Sequence, residues 1–195
     1  GEPYKLTFGE WDAFHPRWSP DGEWIAFVSN EDGLPQLRLL KTFGGKQVRV
    51  HIRDKRWKRP TGRVSVRIED AHTRQVVPAR VYARASDGKS YFPDDAFALV
   101  GRLGEHLFHS AGTFVFDAPP GKLELEAMHG FEYFPVKQTV EVEAGKTAFA
   151  SFSLRRMVDF KSKGWYSNSN HVHMNYGGNL RNTPDHLLSM AAAED

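Results

Sequence analysis

Between residues 61 and 157, apolar side chains recur at every second position in one segment after another. Val64, Val66 and Ile68 alternate with Arg63, Ser65, Arg67 and Glu69, and Ala79, Val81, Ala83 and Ala85 with Arg80, Tyr82 and Arg84. Leu123, Leu125 and Ala127 alternate with Lys122, Glu124 and Glu126, and Val140 and Val142 with Thr139, Glu141 and Glu143. Ala148, Ala150, Phe152 and Leu154 alternate with Ser151 and Ser153. Successive strand side chains point to opposite faces, so each segment has one face for a core and one for water. Strands of this kind bury their apolar faces by packing two sheets together. Asp87-Gly88, Pro119-Pro120-Gly121 and Ala144-Gly145 supply the turns between them. The pattern predicts a mainly β chain built around a central antiparallel β-sandwich of immunoglobulin-like size over 61–157.

One stretch breaks the rhythm. Ser90 to Gly112 holds Tyr91-Phe92-Pro93-Asp94-Asp95 and Glu105-His106-Leu107-Phe108-His109, and reads as a long aromatic-rich loop between short turns. His106 and His109 are candidate metal ligands there, although histidines in such places more often hydrogen-bond within a packed loop. Gly130-Phe131-Glu132-Tyr133 marks another sheet corner, expected to pack against the domain after the sandwich.

Residues 1–50 read as a β-meander. Ser19-Pro20-Asp21-Gly22 suits a type I turn, with Pro fixing φ at the second position and Gly closing the fourth. Trp24 to Asn30 and Gln36 to Leu40 then read as short strands. Residues 51–60 form a linker within a basic stretch that holds Arg49, Arg53, Lys55, Arg56, Lys58, Arg59 and Arg63 with Trp57 among them. Basic residues with an interleaved aromatic suit nucleic acid or an acidic glycan. Asp54 interrupts the run, and the net charge is only +2 over 195 residues. A solvated linker is therefore the favoured reading, with no nucleic-acid partner. The chain has no cysteine, which excludes disulfides and thiolate metal sites, and no apolar run long enough to span a membrane.

Residues 158–195 change character again. Val172 and its neighbours read as a strand, Gly177-Gly178 as a loop, and Thr183-Pro184-Asp185 as a helix start. Thr serves there as N-cap, Pro as the first helical residue, and Asp lies against the positive end of the dipole. Strand, loop and helix make the first βα unit of an α/β domain. One such unit cannot stand alone, so the helix is expected to pack on the sandwich. His171 and His173 are two apart on the expected strand and would present two imidazoles on one face, as two ligands of one metal must. A hydrolytic site normally needs three or more protein ligands. The chain therefore reads as a fragment that opens a metal site without completing it, inactive as it stands. No catalytic residue is assigned.

Several motifs carry a family resemblance. Pro16-Arg17-Trp18-Ser19-Pro20-Asp21-Gly22 followed by Ile25-Ala26-Phe27-Val28-Ser29 resembles one repeat of a TolB-type β-propeller. Residues 61–157 resemble transthyretin-like or carboxypeptidase-regulatory-like sandwiches at superfamily level. Gly164-Trp165-Tyr166-Ser167, then His171-Val172-His173-Met174-Asn175-Tyr176-Gly177-Gly178, resembles the start of CehA/McbA-type metallohydrolases of the PHP superfamily. The resemblance implies a bacterial metal-dependent hydrolase in a longer parent, periplasmic or secreted. It implies His171 and His173 as ligands of a divalent metal (zinc, manganese or iron) and a small-molecule substrate. Asn168-Ser169 stands where that family commonly has Gly-Asp, which removes a carboxylate that could orient a ligating imidazole. Exposed propeller and barrel surfaces would favour a homo-oligomer. The alternative is a non-enzymatic β-sandwich binding or scaffolding module, gripping a peptide or glycan through the 90–112 loop and exposed aromatics.

Overall fold

The computed structural model describes residues 2–101, 104–169 and 181–194. They form twelve strands in three sheets and a short C-terminal helix. The chain divides into two compact units, Gly1–Lys55 with His171–Pro184, and Arg56–Asn170 with Asp185–Asp195.

The first unit is an antiparallel meander, β1 (Ala13–Trp18), β2 (Trp24–Ser29), β3 (Gln36–Lys41) and β4 (Gln47–Arg49), paired in that order. The β1–β2 turn closes as its composition predicts. Gly22 N–H donates to the Ser19 carbonyl at 2.9 Å, and Gly22 takes a φ of +70°. The Asp21 carboxylate accepts from the Ser19 hydroxyl at 2.5 Å and from Glu23 N–H at 3.0 Å. Those bonds, the hydroxyl first, hold its pKa below the usual carboxylate value. β1 slips register between Phe14 and Arg17, and His15 within the slip takes a φ of +57°. Ile25, Phe27 and Leu40 form the buried side. Arg38 is paired with Glu31 at 2.7 Å and Asp32 at 2.8 Å. Arg181 N–H donates to the Gly33 carbonyl at 3.0 Å, which ties the segment before the helix to the β2–β3 turn.

The second unit is the sandwich. Its strands are β5 (Gly62–Asp70), β6 (Ala79–Ala85), β7 (Ala98–Val100), β8 (His106–Ser110), β9 (Thr113–Ala118), β10 (Gly121–Met128), β11 (Val136–Val142) and β12 (Thr147–Leu154). A five-stranded sheet runs β11-β10-β6-β8-β7, and a three-stranded sheet runs β12-β5-β9. Val64, Val66 and Ile68, the four alanine and valine positions of β6, Leu123, Leu125, Phe152 and Leu154 meet in one core. The alternation in the sequence therefore identifies the inward faces. The edge-to-face contact of Phe108 with Phe114, centroids 5.1 Å apart, joins the two sheets.

Two expectations need correction. The sandwich is not wholly antiparallel, because β12 runs parallel to β5 from Thr147↔Arg63 to Leu154↔Asp70. The chain leaves β11 in one sheet and returns beside the first strand of the other, which sets the direction of β12. The 90–112 stretch is also not one long loop. β7 and β8 form an antiparallel pair that extends the larger sheet from β6, with Phe108 turned into the core.

Helix α1 (Pro184–Ala193) starts at the expected proline, with Asp185 in its first turn. Its last residue, Ala193, is buried. The Ala193 carbonyl accepts from Gly130 N–H at 3.1 Å and from His129 Nδ1–H at 3.3 Å. Terminal helix carbonyls lack partners within the helix, and the corner after β10 provides them. The helix thus docks on the sandwich.

Candidate functional site

His171 and His173, the expected metal ligands, lie outside the described residues, as does the strand expected around Val172. Among the described residues, no group of three or more His, Cys, Asp or Glu side chains is placed to hold a metal ion. His106 and His109 both belong to β8. Three positions apart on a strand, they point to opposite faces and cannot converge on one ion. His109 bonds through Nε2 to Glu194 Oε1 at 3.1 Å, and Arg80 Nη1 lies 3.4 Å from the same oxygen. The His109 bond, then the Arg80 charge, holds the Glu194 carboxyl below its usual pKa. An ionised carboxylate only accepts, so His109 Nε2 carries the proton. His109 therefore fastens the end of α1 to β8.

The densest polar cluster lies at the same end of the sandwich, where His129 packs on Tyr133 with ring centroids 4.7 Å apart. β5 ends in Glu69 and Asp70, both buried. The Asp70 Oδ1 accepts from Thr73 N–H at 2.7 Å, His72 N–H at 2.8 Å and the Thr73 hydroxyl at 3.2 Å. Its Oδ2 accepts from the Tyr133 hydroxyl at 2.8 Å. Hydrogen bonds to the ionised form, the Thr73 amide first, lower the Asp70 pKa from 3.8 to about 2. Tyr133 OH in turn accepts from Arg156 Nε at 2.9 Å. Burial and its bond to Asp70 push the Tyr133 pKa up. Arg156 Nη1 pairs with Glu132 at 2.8 Å and with Asp159 at 3.3 Å. Glu69 is held by Arg74 at 2.9 Å and Arg67 at 3.3 Å.

Backbone bonds fix the same corner. Phe134 N–H donates to the Arg155 carbonyl at 3.1 Å, and Met157 N–H to the Glu132 carbonyl at 2.6 Å. The network borders a cleft of about 810 Å3 that also takes in His129 and Ser162. Chemically it is closed. A carboxylate accepting four hydrogen bonds is a weak base, and a tyrosine held between a carboxylate and a guanidinium is committed on both sides. The sequence carried one signal for it. Alternation breaks at Ile68-Glu69-Asp70, where the strand ends in two carboxylates followed by Thr73, a pattern suited to an Asx turn.

Two further features lie outside the strands. Residues 51–60 are exposed, and the Trp57 indole N–H donates to Asp117 Oδ2 of β9 at 3.3 Å. Beyond β12, Lys161–Lys163 makes a single 3₁₀ turn closed by Gly164 in the left-handed conformation. This turn brings Phe160, Trp165 and Tyr166 beside Phe131 and Glu132, around a small cleft of about 320 Å3.

No family model matches the chain, and no curated protein matches it. Among solved structures, similarity is found to GBS52, the minor pilin of Streptococcus agalactiae, at 12% identity and a TM-score of 0.38, over 69% of each chain. The pilus 2b backbone protein of group B streptococcus matches at 11% identity and a TM-score of 0.38, over 72% of this chain and 52% of that one. BcpA, the major pilin subunit of Bacillus cereus, matches at 14% identity and a TM-score of 0.35, over 71% and 40%. These are pilins. The identification with a TolB-type propeller repeat, a transthyretin- or carboxypeptidase-regulatory-like sandwich and a CehA/McbA-type metallohydrolase is corrected on these findings. So is the reading of the chain as part of a metal-dependent hydrolase. Among the described residues, no helix is long and apolar enough to cross a membrane.

Proposed function

We propose that the chain is a non-enzymatic β-sandwich module that binds or holds a partner. One observation carries this reading. The most concentrated set of ionisable groups in the described sandwich, Asp70, Tyr133, Arg156 and Glu132, is closed on itself and joins the end of β5 to the β10–β11 corner and to the segment after β12. His109 and Glu194 are likewise committed to docking α1. Groups arranged in this way supply cohesion, and a rigid sheet scaffold with loops and aromatics at its ends suits recognition. Location outside the cytoplasm is part of the proposal.

Turnover tests the reading. The full chain is incubated with ester, amide, carbamate and phosphoester substrates, with and without added zinc or manganese. The expected result is no hydrolysis above buffer. Hydrolysis that disappears on chelation would overturn the proposal.

A further inference from the structure

The small cleft beside the 3₁₀ turn differs from the rest of the sandwich. Most of the large apolar side chains of the strands meet in one core, and exposed ones such as Phe149 and Val100 stand on separate strands. Here Phe131 is 85% exposed, Trp165 71% and Tyr166 74%, with Phe160 half-exposed next to them. A contiguous set of exposed rings on an otherwise well-packed domain marks a surface that binds something. Hydrogen bonds fix the main chain that carries the rings. Trp165 N–H donates to the Phe160 carbonyl at 3.0 Å, Gly164 N–H to the Lys161 carbonyl at 3.0 Å, and Phe160 N–H to Glu132 Oε1 at 3.3 Å. Such pre-ordering lowers the entropy lost on binding.

The polar lining decides what kind of ligand fits. Glu132 and Glu194 both border the cleft, yet each is already balanced by a cation. Arg156 is 2.8 Å from Glu132, and Arg80 is 3.4 Å from Glu194. Lys163 Nζ lies 6.0 Å from the Phe160 ring centre, so one aromatic face already has a cation over it. An organic cation would find little unbalanced negative charge, and an anion would meet two carboxylates. A neutral ligand remains, with flat C–H faces for the rings and hydroxyl donors for the carboxylate oxygens and the Ser167 hydroxyl. A pyranose ring has these features. The volume of about 320 Å3 falls at the small end of ligand sites, roughly 300–1,000 Å3.

We propose that the cleft formed by Phe131, Phe160, Trp165 and Tyr166 binds a sugar ring of a neutral polysaccharide, whose hydroxyls donate to the lone pairs that Glu132 and Glu194 keep beyond their bonds to Arg156, Phe160 N–H and His109. This rests on the reading of the chain as a binding module and gives that module a ligand class.

The test titrates the full chain with hexamers of β-1,4-glucose, β-1,4-xylose, β-1,4-mannose and β-1,4-N-acetylglucosamine, following heat and the Trp165 indole N–H resonance. At least one hexamer is expected to bind and shift that resonance. Trp165→Ala should weaken binding tenfold or more with the unfolding midpoint unchanged, and Trp165→Phe should restore most of it. Three results overturn the inference: no binding at millimolar sugar, binding indifferent to Trp165→Ala, or displacement of the sugar by phosphocholine at lower concentration. Absence of sugar binding would leave the non-enzymatic reading standing. Cleavage of a bound hexamer would keep this inference and sink that reading.

Discussion

Replacing Asp70 with Asn should make the sandwich less stable at neutral pH and remove much of its sensitivity to acid. Asn retains an oxygen for the His72 and Thr73 donors but turns those three charge-assisted bonds into neutral ones and faces the Tyr133 hydroxyl with a donor. The Asp70 pKa is lowered from 3.8 to about 2 in the folded protein. A depressed carboxylate pKa contributes stability that is fully present above the unfolded value. That stability is lost as pH falls from about 4 through about 2. At ~1.4 kcal/mol per unit the bare shift corresponds to ~2.5 kcal/mol. Asp70 borders an open cleft, so solvent screening reduces this to about 1–2 kcal/mol. Urea unfolding should be followed through the NMR signals of Val64–Ile68, which report the sandwich apart from the N-terminal meander. The Asn variant should be less stable by about 1–2 kcal/mol at pH 7, and the two proteins should converge near pH 2. A gap that stays constant from pH 7 to pH 2, or no gap at pH 7, would refute the reasoning.

Other substitutions separate the two faces of the sheets and probe the docking of the helix. Phe152 is 0% exposed and Phe149, three positions earlier on the same strand, is 78% exposed. Phe152→Ala should cost about 3–5 kcal/mol by urea unfolding, and Phe149→Ser should change stability by no more than about 0.5 kcal/mol. Gly112 has a φ of +101°, and a Cβ there would lie 2.3 Å from the Val77 carbonyl oxygen. Gly112→Ala should therefore lower stability by about 2 kcal/mol or more in the same measurement. Glu194→Gln removes the charge that holds Arg80 and His109. It should speed hydrogen exchange of the α1 amides severalfold while leaving those of β5 and β12 unchanged.

Much of the core was legible in the sequence because the strand period is local. Val64, Val81, Leu125 and Phe152 can be placed inward without knowing which strands pair. Pairing direction is a different matter, since a period of two is the same in parallel and antiparallel ladders, and nothing local in 147–154 distinguishes β5 as its parallel neighbour. β7 and β8 escaped notice because Phe108 alone is deeply buried there and the aromatics at 91 and 92 resemble loop packing. The Asp70–Tyr133 bond spans 63 residues. Only the broken alternation at Glu69-Asp70 hinted that a polar partner was needed. Trp165 and Tyr166 stood out as a motif, but the four aromatics of the cleft come together only through the 3₁₀ turn and the β10–β11 corner.

The central claim is that the polar groups around Asp70 hold the sandwich together instead of performing chemistry. A double-mutant cycle of Asp70→Asn and Tyr133→Phe, measured by urea unfolding at pH 7 on the sandwich signals, tests it most directly. The structure predicts a coupling of about 1–2 kcal/mol for this buried bond. Additive effects, with no coupling between the two residues, would contradict it.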